Sequence, residues 1–154
     1  MIYQLYLYQI FTMEKLDNIL FYTIDKSIKS YKQFAQKRLK EAGFTITVDQ
    51  WLVLKAIEEN NKVTQQQIAE RVFKDVASIT RIIELLVQKK YLERYFHSTD
   101  RRRFELSLTE EGKDVLQKLQ PYINANRDTA LAGLTDADIN KVQAVLSRII
   151  LNVS

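Results

Sequence analysis

The fold is decided by residues 64–108, which read TQQQIAERVFKDVASITRIIELLVQKKYLERYFHSTDRRRFELSL. Thr64 and Gln67 have the T-x-x-Q spacing of a capping box, in which the two side chains satisfy free amides at a helix start. Asp75 can cap a second helix, along which apolar residues recur at three- and four-residue spacing. Two short helices joined by a tight connection, the second with a polar outer face, indicate a helix-turn-helix.

The apolar residues change period after the second helix. Residues 92–97 and 104–108 alternate in side-chain character with a period of two, which predicts a two-stranded hairpin. The hairpin tip, residues 98–103, is polar and mostly cationic. A hairpin placed directly after a candidate recognition helix is the wing of a winged helix.

Two further helices are predicted on the N-terminal side of this segment. Apolar residues at helical spacing indicate one long amphipathic helix from Glu14 to about Ala42, which Gly43 ends. Thr47 and Gln50 repeat the capping box, so we expect the next helix to run from there to an Asn-Asn turn.

The C-terminal side is also predicted to be helical. Thr109 can cap a helix that runs towards Gly133 and is interrupted by a bend at Pro121, which lacks an amide and clashes with the preceding turn. Thr135 opens a final helix. Its apolar stripe consists of Ile139, Val142, Leu146, Ile149, Ile150 and Val153.

The sequence thus predicts a mainly α fold with a small β-hairpin wing, in a single structural domain. Residues 1–43 hold an N-terminal extension and a first dimerisation helix, residues 44–109 the winged helix-turn-helix lobe, and residues 110–154 the C-terminal dimerisation helices. The stripes of the terminal helices exceed what one winged-helix core can cover. We therefore expect a homodimer.

Composition excludes several classes of protein. The chain has 154 residues, no cysteine, and His97 as its one histidine. Disulfides, thiolate metal sites and a site of several histidines within one chain are therefore excluded. There is no glycine-rich phosphate loop and no recognisable nucleophile–base pair, so we expect no enzyme, no metal and no cofactor.

The first thirteen residues, MIYQLYLYQIFTM, are apolar. They lack the Lys/Arg head of a signal peptide and fall short of the roughly 20 residues that a membrane span requires. We expect no export and no membrane insertion, and a cytoplasmic protein. The stretch is either an extension that packs on a partner chain or a segment that precedes a start at Met13.

The positive charge is concentrated in the middle of the chain. Residues 74–103 carry 8 Lys and Arg against 4 Asp and Glu, an excess equal to the whole net charge of +4. Such a local excess suits a surface that neutralises phosphates and releases their counterions. A solvated charged face is the alternative, and it applies equally to Lys74, Lys89, Lys90 and Arg94.

Four runs of residues, taken in order, resemble the MarR family of transcriptional regulators. The runs are Ser78-Ile79-Thr80-Arg81, Tyr91-Leu92-Glu93-Arg94, Asp100-Arg101-Arg102-Arg103 and Leu106-Ser107-Leu108-Thr109-Glu110-Glu111-Gly112. The resemblance covers roughly Leu16 to Val153. It implies a homodimer in which the first and last two helices of each chain interlock and two winged helices point towards adjacent major grooves of double-stranded DNA.

The resemblance departs at Lys90, where members of the family usually have a glycine at the end of the recognition helix. A residue with a Cβ adopts the left-handed cap conformation less readily than glycine. The path of the chain out of this helix, and with it the position of Tyr91, therefore stays open.

Arg81 is the first candidate for a contact with DNA bases. If Ile79 and Ile83 face inward, Arg81 faces outward, where its planar fork can give two hydrogen bonds to O6 and N7 of guanine. The alternative for Arg81 is an ion pair with Glu84 one turn on. The full set of candidate contacts on the recognition helix is Ala77, Ser78, Thr80, Arg81 and Gln88.

At the wing, Asp100 and Arg102 match the D-x-R pattern of the family, which implies that the aspartate orients the arginine into the minor groove. Arg101 and Arg103 are candidates for phosphate contacts. The alternative is an exposed charged turn without a partner.

The family resemblance places an effector pocket between the dimer helices and the DNA-binding lobe. Tyr31, Phe34 and Trp51 are candidates to line it, and plain core packing is the alternative. The leading hypothesis is a repressor that a small aromatic or anionic effector releases from DNA. The alternative is a winged-helix protein–protein interaction module without effector control.

Overall fold

The computed structural model describes residues 15–60, 63–96 and 104–154. After a 3-10 turn at Leu16–Asn18, the elements are α1 (Leu20–Glu41), α2 (Val48–Glu59), α3 (Gln65–Arg71), α4 (Val76–Gln88), β1 (Leu92–Phe96), β2 (Phe104–Leu108), α5 (Glu110–Ala130) and α6 (Asp136–Val153). The strands pair antiparallel, with Leu92 opposite Leu108. The prediction of a mainly helical chain with one small hairpin is confirmed.

The helix starts form as the sequence predicts because their signals are local. Thr47 Oγ1 accepts a hydrogen bond from the amide of Gln50, and Gln50 Oε1 accepts one from the amide of Thr47, both at 3.1 Å. Thr64 and Gln67 make the same reciprocal pair at the start of α3. Each cap stabilises the fold by about 1 kcal/mol.

Two predicted features of the helices are wrong. The N-terminal helix begins at Leu20 and not at Glu14, because Ile19 is extended and separates α1 from the short turn before it. Asp17 and Asn18 in that turn are poor interior helix residues, since their side chains compete for backbone hydrogen bonds. The helix α5 continues through Pro121 without the predicted interruption. The bend at Pro121 stays a prediction.

The hydrophobic core lies beneath α4. The inner face of α4 presents Ile79, Ile83 and Leu86, each with 0% of its surface exposed. Burying a side chain of this size contributes roughly 1.5–3 kcal/mol, so the orientation of α4 is firmly held. The other fully buried side chains of this core include Ile46, Val53, Leu54, Ile57, Ile68 and Leu119.

The helix α6 has no buried residue. Val142, Val145, Ile150, Leu151 and Val153 are exposed along it. The first half of α1 is similarly uncovered, with Leu20, Phe21 and Ile28 more than half exposed. Monomeric proteins rarely leave large apolar surfaces in water. The other described residues leave these two helices uncovered, so they are candidates for an interface.

The C-terminal end of α4 has the left-handed cap that a glycine usually forms, although the residue at this position is Lys90. The amide of Lys90 donates to Val87 O and the amide of Tyr91 donates to Leu86 O, both at 2.9 Å. Lys90 has φ +60°, a left-handed conformation that costs a residue with a Cβ roughly 1–2 kcal/mol. Lys90 in place of the family's glycine therefore adds backbone strain but leaves the path of the chain unchanged.

Replacing Lys90 with glycine is expected to raise the free energy of unfolding by about 1 kcal/mol, because glycine adopts this conformation without the Cβ clash. Urea denaturation at fixed protein concentration measures the change. The matched control is Lys118→Gly inside α5, which should lower the free energy of unfolding by about 1 kcal/mol. A lower free energy of unfolding in Lys90→Gly would contradict the conclusion that the backbone of Lys90 is strained.

Candidate nucleic-acid interface

The outer face of α4 is an exposed stripe opposite its buried face. Ala77, Arg81, Glu84 and Gln88 are all exposed and follow one another at spacings of four, three and four residues, which keeps them on one side of a helix. Three of the five predicted recognition-helix contacts therefore lie together on this stripe. The core beneath fixes the direction in which the stripe points.

Arg81 has a free guanidinium. Among the described residues, no hydrogen bond or ion pair holds it, and the alternative pairing with Glu84 does not form. All five of its N–H donors remain available to a ligand. A planar fork that projects from a rigid helix face fits bidentate recognition of a guanine edge or a phosphate.

Ser78 and Thr80 already serve the helix-turn-helix itself. Ser78 Oγ donates to Asp75 Oδ2 at 2.7 Å, and the Ser78 amide donates to Asp75 Oδ1 at 2.8 Å. These two bonds hold the pKa of Asp75 below its usual value. The Thr80 hydroxyl lies 2.9 Å from Val76 O and 3.2 Å from Gln65 Oε1, so its one proton is already shared within the motif.

Lys89 is a structural residue, which sequence reasoning missed. Its Nζ donates to Thr45 O at 2.7 Å and to Gln50 Oε1 at 3.3 Å, and so ties the end of α4 to the start of α2. The two partners lie 44 and 39 residues away in the chain, so periodicity gives no sign of them. The ammonium group of Lys89 is therefore hydrogen-bonded within the fold, whereas the guanidinium of Arg81 has no partner among the described residues.

The turn between α3 and α4 presents an aromatic ring that the sequence did not single out. Phe73 has φ +54° and is 93% exposed. The amide of Lys74 closes the turn by donating to Ala69 O at 2.9 Å. A bulky residue in this conformation is a genuine outlier, and it stands beside the first residues of α4.

The predicted wing tip comes between β1 and β2 in the chain. The pairing of the two strands runs from Leu92 opposite Leu108 to Phe96 opposite Phe104. The tip itself falls outside the described residues. Its predicted DNA contacts are Asp100, Arg101, Arg102 and Arg103.

A cavity of about 1250 Å³ lies among α1, α2, α5 and α6. Tyr31 and Trp51 line it, whereas Phe34 does not. The lining face of α1 is centred near Ala35, and neighbouring residues of a helix point about 100° apart, so Phe34 is turned away. Asn126, only 2% exposed, is a buried polar residue in the lining that the sequence did not reveal.

The described ranges 15–60, 63–96 and 104–154 contain no group of three or more histidine, cysteine or acidic residues placed to hold a metal ion. No helix in these ranges combines the length and the apolar character of a membrane span.

Comparison with known proteins agrees with this geometry. Residues 42–103 match the model of the MarR family. Over 97 residues the chain is 39% identical to the HTH-type transcriptional regulator SarZ of Staphylococcus epidermidis, a match that covers 62% of each protein. The chain thus spans less than two thirds of the length of this relative.

Two solved structures share the fold. The MepR–DNA complex of S. aureus has a TM-score of 0.74 at 20% identity, covering 90% of this chain and 99% of that one. BpsR of Bordetella bronchiseptica, whose DNA binding is regulated by 6-hydroxynicotinic acid, has a TM-score of 0.76 at 18% identity, covering 85% and 92%. Residues 42–103 thus match the MarR family in sequence, and the chain shares the fold of these two structures.

Proposed function

We propose that this protein is a homodimeric transcriptional regulator that binds double-stranded DNA through α4 and the hairpin wing. The free guanidinium of Arg81, on the exposed stripe of a helix whose other face is locked into the core, is the observation that carries the proposal. A rigid helix with a free arginine on its outer face suits the major groove. The relatives named above are regulators rather than enzymes.

The residues divide by the part of the duplex that they contact. Arg81 reads a guanine edge, with Gln88 and Ala77 beside it on the stripe. Ser78 and Thr80 hold the motif together and contact DNA only as acceptors. On the wing, Asp100 orients Arg102 into the minor groove, and Arg101 and Arg103 contact phosphates.

The homodimer follows from the uncovered terminal helices. In α6, Val142 and Ile150 are 56% and 60% exposed, and no described residue covers them. A second copy offers the same stripe, which makes a two-fold symmetric interface self-complementary. Pairing the helices places the two recognition helices about one helical turn of DNA apart.

The protein acts as a repressor that a small effector releases from DNA. The cavity lies between the terminal helices and α2 of the DNA-binding lobe, and Tyr31 and Trp51 give it an aromatic lining. A small aromatic or anionic molecule bound there selects a dimer in which the recognition helices are wrongly spaced. The effector control named for BpsR supports this part of the proposal.

Replacing Arg81 with alanine is expected to weaken specific DNA binding at least tenfold, because each bidentate contact with guanine is worth roughly 1–3 kcal/mol and a dimer has two of them. Mobility shifts on the upstream region of the gene, or on a duplex selected from a random library, measure the change at fixed salt. The matched control is Arg38→Ala on α1, which should leave affinity within about twofold. Wild-type protein that binds no duplex in a salt-sensitive way contradicts the proposal. Unchanged DNA binding in Arg81→Ala, with loss of a protein partner in a pulldown, would favour the interaction module.

A further inference from the structure

One carboxylate, Asp49 in the first turn of α2, faces two lysines from different parts of the fold. Lys74 Nζ, in the turn before the recognition helix, lies 2.8 Å from Asp49 Oδ2. Lys32 Nζ, from α1, lies 3.5 Å from Asp49 Oδ1. Asp49 therefore contacts both α1 and the turn between α3 and α4.

The two lysines hold Asp49 unequally. The Lys74 bond is short, whereas Lys32 is too distant for a well-formed hydrogen bond, and Asp49 Oδ1 is shielded from solvent without a hydrogen-bond donor. Burial alone would raise the pKa of Asp49, but Lys74 and Lys32 outweigh it and the pKa lies below its usual value. The loss of one lysine would leave the other as the one ion-pair partner of Asp49 among the described residues.

Each lysine also has a second anion within its reach under the proposed function. Lys32 lines the cavity, and its side chain is 44% exposed. Lys74 lies two residues before α4, the helix proposed to enter the major groove, where the phosphates of DNA would be close. Arg127, Asp128 and Asp136 also line the cavity, and none of them is paired with Asp49.

We propose that Asp49 couples the cavity to the DNA-binding face by sharing these two lysines. This inference rests on the proposed function: the anionic group of an effector in the cavity takes Lys32. Asp49 is then left with Lys74 alone and withholds that lysine from DNA phosphate. By reciprocity, phosphate that draws Lys74 away makes Asp49 retain Lys32, so DNA and the effector weaken each other's binding.

A neutral residue at position 32 leaves Asp49 with Lys74 alone, as a bound effector would. The full-length variant Lys32→Gln is expected to bind the operator duplex about fivefold more weakly than wild type. The control Lys29→Gln makes the same charge change on the same helix, where Lys29 pairs with Asp25 at 2.6 Å, and should leave affinity within twofold. Lys32→Arg keeps the cation and should retain wild-type affinity. Loss in Lys29→Gln equal to that in Lys32→Gln would reduce the effect to net charge and overturn the coupling.

Introducing Lys32→Gln into an Asp49→Asn protein distinguishes coupling through Asp49 from a purely structural role of Lys32. In Asp49→Asn, Lys74 is released, so adding Lys32→Gln should change DNA affinity by less than twofold. An equal loss from Lys32→Gln in both backgrounds, or no loss in either, overturns the inference. Thermal melts of each variant identify any that is unfolded, and the Lys32→Arg and Lys32→Gln pair still decides the outcome in that case.

Benzoate at millimolar concentration is the probe for the anion. It should weaken DNA binding by wild type about fivefold and have no further effect on Lys32→Gln. Equal loss in both proteins, or none in wild type, overturns the assignment of the anion to Lys32. If wild type binds no duplex at all, the proposed function fails; if wild type binds but the variants act independently, the coupling alone fails.

Discussion

Replacing Val142 and Ile150 of α6 together with aspartate is expected to convert the proposed homodimer into a monomer and to lower its DNA affinity at least 100-fold. Four carboxylates per dimer would enter an apolar interface without partners, which is prohibitive. Once the subunits separate, each winged helix binds its half-site alone, and the gain from linked binding, typically 10²–10⁴-fold, is lost. Sedimentation equilibrium and mobility shifts on the operator duplex measure the two effects.

The matched control is Ala144→Asp, an exposed apolar residue on the other side of α6. It should remain dimeric with wild-type DNA affinity, because its side chain faces away from the stripe. A dimeric Val142→Asp/Ile150→Asp protein would show that another surface joins the subunits. A monomer with undiminished affinity would show that pairing plays no part in DNA binding.

Replacing Gly112 with alanine is expected to lower the free energy of unfolding by about 3 kcal/mol or more, since overpacking against backbone cannot relax easily. A Cβ built on Gly112 would overlap the carbonyl oxygen of Tyr91 and lie 3.0 Å from its carbonyl carbon. This close approach seats the start of α5 on the link between α4 and the wing. There Thr109 Oγ1 donates to Lys90 O at 2.6 Å. Urea denaturation measures the loss, and hydrogen exchange should show it concentrated around this link.

Gly133→Ala provides the comparison. Gly133 has φ +83° with nothing within 4 Å of an added Cβ, so its substitution meets backbone strain alone, about 1 kcal/mol. Equal losses in Gly112→Ala and Gly133→Ala would show that the approach to Tyr91 does not constrain α5.

The sequence predicted well those features that depend on residues close together in the chain. The Thr47–Gln50 and Thr64–Gln67 boxes each span three residues, and the outward position of Arg81 follows from the period of a helix. The change of period after α4 predicted the wing, and the resemblance to the MarR family agrees with the match of residues 42–103. The wing-tip roles of Asp100 and Arg102 stay predictions.

What the sequence could not reveal depends on contacts between distant segments. Lys89 belongs to a lysine-rich stretch, yet it bonds to Thr45 across 44 residues, and the pairing of Asp49 with Lys74 has the same character. The spacing of aromatic residues on α1 did not separate Tyr31, which lines the cavity, from Phe34, which does not. Periodicity identifies a face of a helix, but tertiary packing decides what that face meets.

The most direct test is a footprint of the purified protein on its operator, read at guanine N7 in the major groove. Two protected sites with centres about 10–10.5 base pairs apart are expected, because a symmetric pair of recognition helices meets adjacent turns of the duplex. Both should vanish together in Arg81→Ala. A single protected site, or two that persist without Arg81, would contradict the view that paired α4 helices grip DNA through this arginine.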